Sequence, residues 1–427
     1  MPYASLLSAG SNAQGQLGNG TTDDSHSFQR CSFFGCEPGT TPPGTTRILS
    51  VSGGANHTLA LLEIGDAHQL RTELWGCGSG LKGQLGPACR PPALPSFSTT
   101  MFRPIILPLE QYGLAGYTYK KVCVAWETTY LVLTSPGTGD VLVSMGADDF
   151  GDLGIGGYSE RSSEKEKPFH IISFDHIQVD GFSLRSDMVV IADIAAGQHH
   201  VLVQLRASLA DKTAQSFLVG WGTSRHGQLG GVSSNNKRGQ GQIFTSRPKL
   251  VRTADDVAGL ALGTQHTVFL HQSMHISGIG SDRKGQLSGI ESLSHVRCIS
   301  CTWNGTYAIV NDNNGQWHVM STGSNSHGQL GRTSPGAPGP VDFPEMVRAY
   351  NVKRIACGSE HVLSLLHAKS ETEVWGWGWN EHGNLGLGTT EDVPTPVRIC
   401  PREPGYNFNV ADIWAGCGTS WLYATEY

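Results

Sequence analysis

Apolar residues alternate with small or polar residues in short runs throughout the chain, and glycine-rich turns separate the runs. Clear examples are the runs from Leu74 to Cys77 and from Phe217 to Trp221. Alternation with a period of two is typical of β-strands, and the chain shows no helical period. The pattern therefore predicts an all-β protein that is built from many short strands.

Two turn signatures follow these strands in strict alternation. The first is a glycine, a few polar residues and Gly-Gln-Leu-Gly or a variant of it, at residues 10–18, 78–86, 146–154, 222–230, 280–287, 323–331 and 378–386. The second is glycine, two variable residues and histidine before an apolar strand, with clear copies beginning at Gly54, Gly197, Gly263 and Gly358. Weaker copies of the second lie at residues 125–133, 302–310 and 416–423. Repetition with this period predicts a propeller or an array.

One period contains four predicted strands, here called A to D. Strand A leads into the Gly-x-x-His turn, strand B follows that turn, strand C ends at the Gly-Gln-Leu-Gly turn, and a proline-led strand D comes last. Seven periods of four antiparallel strands predict a seven-bladed β-propeller that occupies residues 1–427 as one domain. The chain begins on a C strand, Leu6 to Ala9, and ends on a B strand, Leu422 to Ala424. We therefore expect both termini to complete the last blade.

Strand direction assigns the turns to two faces of the propeller. The A–B and C–D turns should share one face, called the upper face below. Three insertions that follow strand C, at residues 87–103, 158–187 and 231–247, should lie on it, and residues 205–215 on the opposite face. Function on such scaffolds concentrates in loops that rigid strands hold, so the upper face is the predicted binding face.

Three tryptophans lie in predicted upper-face turns rather than in the blade core. Trp126 and Trp303 occupy the same position of the A–B turn, and Trp379 lies in the last polar turn. Tryptophan is enriched at interface hot spots because it buries a large area and keeps a polar group. The alternative is that these side chains cap the central channel or pack on neighbouring loops. The predicted protein-binding residues are Trp126, Glu127, Trp303, Trp379, Glu381 and His382.

The sequence favours a binding protein over an enzyme, without cofactor or metal. It contains no Gly-x-Ser-x-Gly elbow, phosphate loop or His-Glu-x-x-His motif. The turn histidines recur once per blade, which indicates that they hold the turn. Asp148, Asp149 and Asp152 are expected to be solvated rather than to bind a cation. Cys298 and Cys301 have the spacing of half a zinc site without a second pair, so buried core thiols are expected.

Composition narrows the classes of partner and compartment. The net charge of −6 argues against a nucleic-acid ligand, which favours a basic face. The first apolar run is too short for a signal peptide, and no stretch is long enough to span a membrane. The ten cysteines fit no disulfide framework. A reduced compartment is therefore predicted, the cytoplasm, with the nucleus also open.

The two interleaved signatures resemble the regulator of chromosome condensation repeat family over essentially the whole chain. The resemblance implies one of two functions: a guanine-nucleotide exchange factor for a Ran-type small GTPase, or a non-catalytic scaffold. Such an exchange factor is expected to carry a basic N-terminal tail, whereas this chain is acidic and starts directly on its first strand.

Shorter motifs look like those of the fungal alpha-tubulin suppressor, or killer-toxin-insensitivity, branch of these propellers. They lie at residues 125–129, 358–361, 375–379, 381–384 and 416–421. That resemblance implies a heterodimer with a small zinc-binding CSL-type protein. It further implies an accessory role in diphthamide synthesis and in Elongator-dependent modification of the tRNA wobble uridine. The chain departs from the branch by longer inserts at residues 20–46 and 158–187.

Overall fold

The structure, a computed structural model, contains seven sheets arranged as blades and one separate two-stranded sheet. The described residues are 4–66, 69–87, 98–156, 167–179, 181–207, 215–231, 243–253, 256–312, 315–334, 337–347, 350–368, 371–401 and 408–426. The predicted all-β class and the seven-bladed propeller are confirmed. Among the described ranges, no helix has the length and apolar character that crossing a membrane requires.

The first three blades follow each other along the chain. Blade 1 contains β3 (Thr45–Gly53), β4 (His57–Gly65), β5 (Leu70–Ser79) and β6 (Ser98–Pro104). Blade 2 contains β7 (Thr118–Val124), β8 (Thr128–Thr134), β9 (Val141–Gly146) and β10 (His170–Ile171). Blade 3 contains β13 (Val190–Ala196), β14 (His200–Ala207), β15 (Gln215–Thr223) and β16 (Phe244–Val251).

The next three blades repeat this order, with one shorter member. Blade 4 contains β17 (Val257–Leu262), β18 (His266–His271) and β19 (Ile276–Gly280). Blade 5 contains β20 (Val296–Thr302), β21 (Gly305–Asn311), β22 (Trp317–Gly323) and β23 (Gly339–Pro340). Blade 6 contains β24 (Asn351–Cys357), β25 (His361–Ala368), β26 (Glu371–Gly378) and β27 (Val393–Cys400).

Blade 7 joins the two ends of the chain, as predicted. Its strands are β28 (Phe408–Gly416), β29 (Thr419–Glu426), β1 (Ala4–Gly10) and β2 (Ser25–Arg30). All seven residues of β1 pair antiparallel with β29, from Ala4 opposite Thr425 to Gly10 opposite Thr419. This pairing closes the ring.

Blade 4 departs from the prediction of four strands per blade, because no strand of the described residues pairs with the outer side of its strand C. In blade 1 a Cβ on Gly76 would lie 2.7 Å from Cδ1 of Ile105, which follows strand D. In blade 4 a Cβ on Gly278 would lie 3.0 Å from Cδ1 of Ile290. Ile290 belongs to a 3-10 helix, Ile290–Ser292, that Gly289 starts with a φ of 71°. The left-handed glycine turns the chain away from an extended path, so a helix supplies the apolar side chain.

A second departure concerns the insertion at residues 158–187, all of which was predicted on the upper face. Residues 157–166 lie outside the described ranges. The short strand D, β10, follows them, so the hairpin β11 (Gln178–Val179) and β12 (Phe182–Ser183) comes after strand D. Strand D runs away from the upper face, which places this part of the insertion at the opposite side. Other 3-10 helices in the described part of the chain are Leu109–Tyr112, Ser186–Met188 and Glu345–Val347.

The blade core contains the side chains that the alternating pattern predicted. The strand C tryptophans Trp75, Trp221, Trp375 and Trp377 are buried, as expected. The insertions at residues 87–103, 205–215 and 231–247 fall partly outside the described residues, which omit 88–97, 208–214 and 232–242. Cys298 and Cys301 lie in β20, as predicted, and are half-buried.

The turn histidines are structural, but they hold the neighbouring blade rather than only their own turn. Nε2 of His57 lies 3.0 Å from Oγ1 of Thr129 in blade 2, and that hydroxyl donates to the carbonyl of Gln84. The hydroxyl proton is therefore used, so Nε2 carries the proton and donates to Thr129. The same contact recurs at His200 with Thr267, His266 with Thr306 and His361 with Ser420.

Burial keeps these four imidazoles neutral. It lowers the pKa of His57 and His200 to about 3, and that of His266 and His361 to about 4. Nδ1 of each ring is buried and has no hydrogen-bond partner among the residues that the structure describes. A proton added there would create an uncompensated buried charge, which explains the direction of the shift.

Candidate protein-binding face

The A–B and C–D turns share the upper face, as predicted from strand direction. In every blade an N–H at the start of the C–D turn donates to a carbonyl of the A–B turn. The donors and acceptors are Ser11 and Gly418, Ser79 and Asn56, Ala147 and Glu127, Thr223 and His199, Ser281 and Gln265, Ser324 and Asn304, and Trp379 and Glu360. A backbone hydrogen bond therefore links the two turns of each blade.

Trp126 and Trp303 meet at the upper mouth of the central channel. The ends of the A strands line this channel, which has a volume of about 410 Å³ and includes both tryptophans in its wall. The two indole rings have centroids 6.0 Å apart at an interplanar angle of 47°. Since they come from blades 2 and 5, which are not neighbours, their contact spans the mouth. This arrangement agrees with the alternative in which the tryptophan side chains cap the central channel.

Backbone hydrogen bonds between neighbouring A–B turns hold this tryptophan pair in place. Trp126 N–H donates to the carbonyl of Gln198 at 3.0 Å, and its own carbonyl accepts the N–H of Ala55 at 2.8 Å. Trp303 is held in the same way between Ser359 and Thr264. Hydrogen bonds to the neighbouring turns therefore preorganise the backbone at both tryptophans.

The aromatic surface continues from Trp126 onto blade 3. The imidazole of His199 lies 6.3 Å from the Trp126 ring and 4.7 Å from the ring of Phe150, which is 37% exposed. Glu127, the next predicted residue, is half-buried beside Trp126. We call Trp126, Trp303, His199 and Phe150 the mouth patch.

The carboxylates beside this patch are not the solvated cluster that the sequence predicted. Asp152 is only 3% exposed and occupies the position of the repeat's glutamine. One of its oxygens accepts the N–H of Phe150 at 3.0 Å, and the other lies 3.4 Å from Nδ1 of His199. Asp148 accepts the N–H of Leu153 at 3.0 Å, and only Asp149 is exposed. The prediction was wrong because these acids cap the turn as the repeat's Asn and Gln do.

Trp379, Glu381 and His382 form a second group on the upper face. The indole N–H of Trp379 donates to Oε2 of Glu381 at 3.3 Å, and the His382 ring lies 5.3 Å away, edge to face. Nδ1 of His382 lies 2.6 Å from Oδ2 of Asp24. The structure thus brings the predicted residues of this turn together.

Sequence reasoning missed His327, which completes the second group, and Asp392, which pairs with it. The imidazole of His327 lies 6.5 Å from the Trp379 ring, and its Nδ1 lies 2.8 Å from Oδ2 of Asp392. Each imidazole beside Trp379 is therefore paired with an aspartate. We call Trp379, Glu381, His382 and His327 the blade 6 patch.

Glu360 is a third residue that the sequence left unassigned. Its carboxylate accepts hydrogen bonds from Nδ2 of Asn304 at 2.7 Å and from Nε2 of Gln329 at 2.9 Å. Burial raises the pKa of this carboxyl. An acidic residue at a variable position of the Gly-x-x-His turn was the signal that could have identified it.

Comparison with known proteins finds a repeat family that parts of this chain resemble. Three segments, residues 4–61, 318–365 and 372–422, match the Regulator of chromosome condensation (RCC1) repeat. The secretion-regulating guanine nucleotide exchange factor of Bos taurus is 27% identical, over 97% of this chain and 82% of that protein. An RCC1 repeat-containing protein of Schizosaccharomyces pombe is 25% identical, over 99% of both chains. The ultraviolet-B receptor UVR8 of Arabidopsis thaliana is 26% identical, over 99% and 84%.

Solved structures show the same fold. Human WBSCR16 superposes with a TM-score of 0.67 at 19% identity and covers 99% of both chains. Yeast RCC1 (Prp20), solved bound to Kap60, superposes with a TM-score of 0.70 at 18% identity and covers 100% of this chain and 90% of that one.

Proposed function

We propose that this seven-bladed propeller, three segments of which match the RCC1 repeat, is a non-catalytic scaffold that binds a partner protein through its upper face. The observation that carries the proposal is the pair of aromatic patches on preorganised turns. Rigid aromatic side chains are strong interface anchors because little conformational entropy is lost when they bind.

The buried histidine–hydroxyl pairs do not argue for catalysis. A histidine next to a threonine hydroxyl has the composition of a base and a nucleophile. His57 and Thr129 are both 0% exposed, however, and the hydroxyl already donates to a carbonyl. The same pair recurs at three other blade boundaries. These contacts are inter-blade joints that a substrate does not reach.

For the partner, we propose a small zinc-binding CSL-type protein in a heterodimer, with the accessory role in diphthamide synthesis and tRNA modification that such a complex implies. The support is the resemblance of the motifs at residues 375–379, 381–384 and 416–421. The first and second of these motifs contain three members of the blade 6 patch. The cytoplasm is the proposed compartment, with the nucleus also open.

Nucleotide exchange on a Ran-type GTPase is the second candidate function. The observation in its favour is the similarity to the bovine secretion-regulating guanine nucleotide exchange factor over 97% of the chain. Release of labelled GDP from Ran, measured with and without the propeller, tests it. Accelerated release supports exchange, and an unchanged rate leaves the scaffold as the function of the upper face.

Trp379→Ala is expected to weaken binding of the zinc-binding partner by about 2 kcal/mol, roughly 30-fold, a typical hot-spot loss. The indole is half-buried and packs against two imidazoles, so its removal takes away the centre of the blade 6 patch. Titration calorimetry with the purified zinc-loaded partner measures the change, and the unfolding midpoint of the variant checks its fold.

Trp317→Ala is the matched control for this measurement. Trp317 begins β22, at the end of the strand remote from the upper face, and is also half-buried. We expect the Trp317→Ala variant to bind the partner with the same affinity as the unmodified protein. Equal affinities for all three proteins would remove Trp379 from the interface, and a loss in Trp317→Ala alone would move the interface to the opposite face.

A further inference from the structure

The outer edge of blade 4 is open, which distinguishes it from the other blades. In the other six blades a strand D pairs with the outer edge of strand C. In blade 4 the sheet ends at β19, and no strand in the described part of the chain pairs with its outer side. β19 is a five-residue edge strand with the sequence Ile-Ser-Gly-Ile-Gly.

Equivalent positions in other blades show which backbone groups this edge leaves available. The N–H that follows strand D in blade 1, that of Ile105, donates to the carbonyl of Leu74 at 2.7 Å. The same bond joins Ile172 to Leu142 at 2.9 Å in blade 2. Counted back from the glycine that ends strand C, Ile276 occupies this position in blade 4. Backbone groups of alternate residues point to the same side of a strand, so Ile276 and Gly278 both face outward.

The edge also lacks the features that prevent strand addition. Natural edge strands are commonly protected by lysine, proline or a bulge. β19 contains no charged residue and no proline, and its pairing with β18 is regular from His266 opposite Gly280 to Leu270 opposite Ile276. Ile290 covers the apolar position over Gly278, but it comes from a single turn of 3-10 helix.

We propose that the outer edge of β19 accepts an extended segment of a partner protein as a fourth strand, which displaces the 3-10 helix Ile290–Ser292. The segment needs an aliphatic residue that replaces Ile290 over Gly278 and whose N–H donates to the carbonyl of Ile276. That residue is therefore not proline. This surface is separate from the upper-face patches, so the inference goes beyond the proposed function and fails or stands independently of it.

A second copy of this chain fits the edge less well than a partner segment. Two β19 strands that pair with each other would join only five residues from each copy. A stable dimer needs a buried area of about 1,200–2,000 Å². An extended segment of a larger protein gains the same backbone hydrogen bonds while other contacts supply its affinity.

A peptide copy of blade 1 residues 98–106 provides a probe of known register, because Ile105 supplies the required N–H and aliphatic side chain. Amide exchange at Gly278, followed by NMR in the full chain, is expected to be at least tenfold faster than at Gly76. Addition of about 1 mM peptide is expected to slow exchange at Gly278 at least tenfold. The same peptide with Ile105→Pro lacks the N–H and is expected to leave the rate unchanged.

Ile290→Ser provides a second test, since it empties the position that the segment must take. The variant is expected to bind the peptide at least fivefold more tightly, with its fold checked by thermal unfolding. The proposal is overturned if the Gly278 amide exchanges as slowly as that of Gly76 in the free protein. It is also overturned if saturating peptide leaves Gly278 unprotected or protects blade 1 instead. Protection that rises with protein concentration alone would assign the edge to a second copy.

Discussion

Deletion of residues 1–30 is expected to abolish cooperative folding of the propeller rather than to shorten it. The deletion removes β1 and β2, and with β1 every backbone partner of one side of β29. It also removes Leu6, which packs in the same core cluster as Trp414 and Trp421. Loss of a single buried leucine side chain costs about 2–5 kcal/mol, whereas whole domains are stable by about 5–15 kcal/mol. The free energy lost with two strands therefore exceeds the whole free energy of unfolding of the domain.

Thermal and urea unfolding, followed by circular dichroism and tryptophan fluorescence, measure this effect. We expect no cooperative transition in the shortened chain. A peptide of residues 1–30 added in trans is the matched control, and it is expected to restore a transition by filling blade 7. A shortened chain that unfolds cooperatively at the midpoint of the full chain would show that blade 7 closure is dispensable.

Acidification is expected to destabilise the propeller steeply between pH 6.5 and about pH 4. In the unfolded chain the four turn histidines take up protons near the ordinary pKa of 6.5, whereas in the folded protein their pKa lies at about 3 or 4. In this window the unfolded state binds more protons, so the free energy of unfolding falls as the pH falls. Each histidine contributes up to about 1.4 kcal/mol per pH unit.

Urea unfolding at several pH values between 7.5 and 4.5 measures this slope. His361→Thr is the matched variant, because blades 2 and 7 carry Thr128 and Thr419 at this position. We expect the variant to lose stability at pH 7.5 and to show a shallower slope below pH 6.5. Glu360, whose carboxyl pKa is raised by burial, acts in the opposite direction, so Glu360→Gln should steepen the slope. An unchanged slope in His361→Thr would exclude the histidine as a source of acid sensitivity.

The propeller could be predicted from sequence because each blade carries its own local determinants. Gly78 has a φ of 93°, and a Cβ there would lie 2.3 Å from the carbonyl oxygen of Asn56. Only glycine fits such a position, so the same glycine recurs in each blade and the repeat can be recognised from the sequence. The closure of blade 7 was predictable for the same reason, since the repeat starts at strand C and ends at strand B.

The site was less predictable because it depends on contacts between distant residues. Trp126 and Trp303 share a position in the repeat, but only the curvature of the closed ring brings blades 2 and 5 together across the mouth. The pairing of His382 with Asp24 joins residues 358 positions apart. Asp152 looked solvated because its role is defined by the turn that surrounds it and by His199 from the next blade.

The closure of blade 7 also has a consequence for how the protein is made. β1 leaves the ribosome long before its hydrogen-bonding partner β29, which begins only at Thr419. At about 5–20 residues per second, translation separates the two strands by roughly 20–80 seconds. During that interval β1 has no β29 with which to pair, because β29 has not yet been synthesised. The nascent chain is thus a natural client for chaperones that shield single strands, and slow translation prolongs its risk of aggregation.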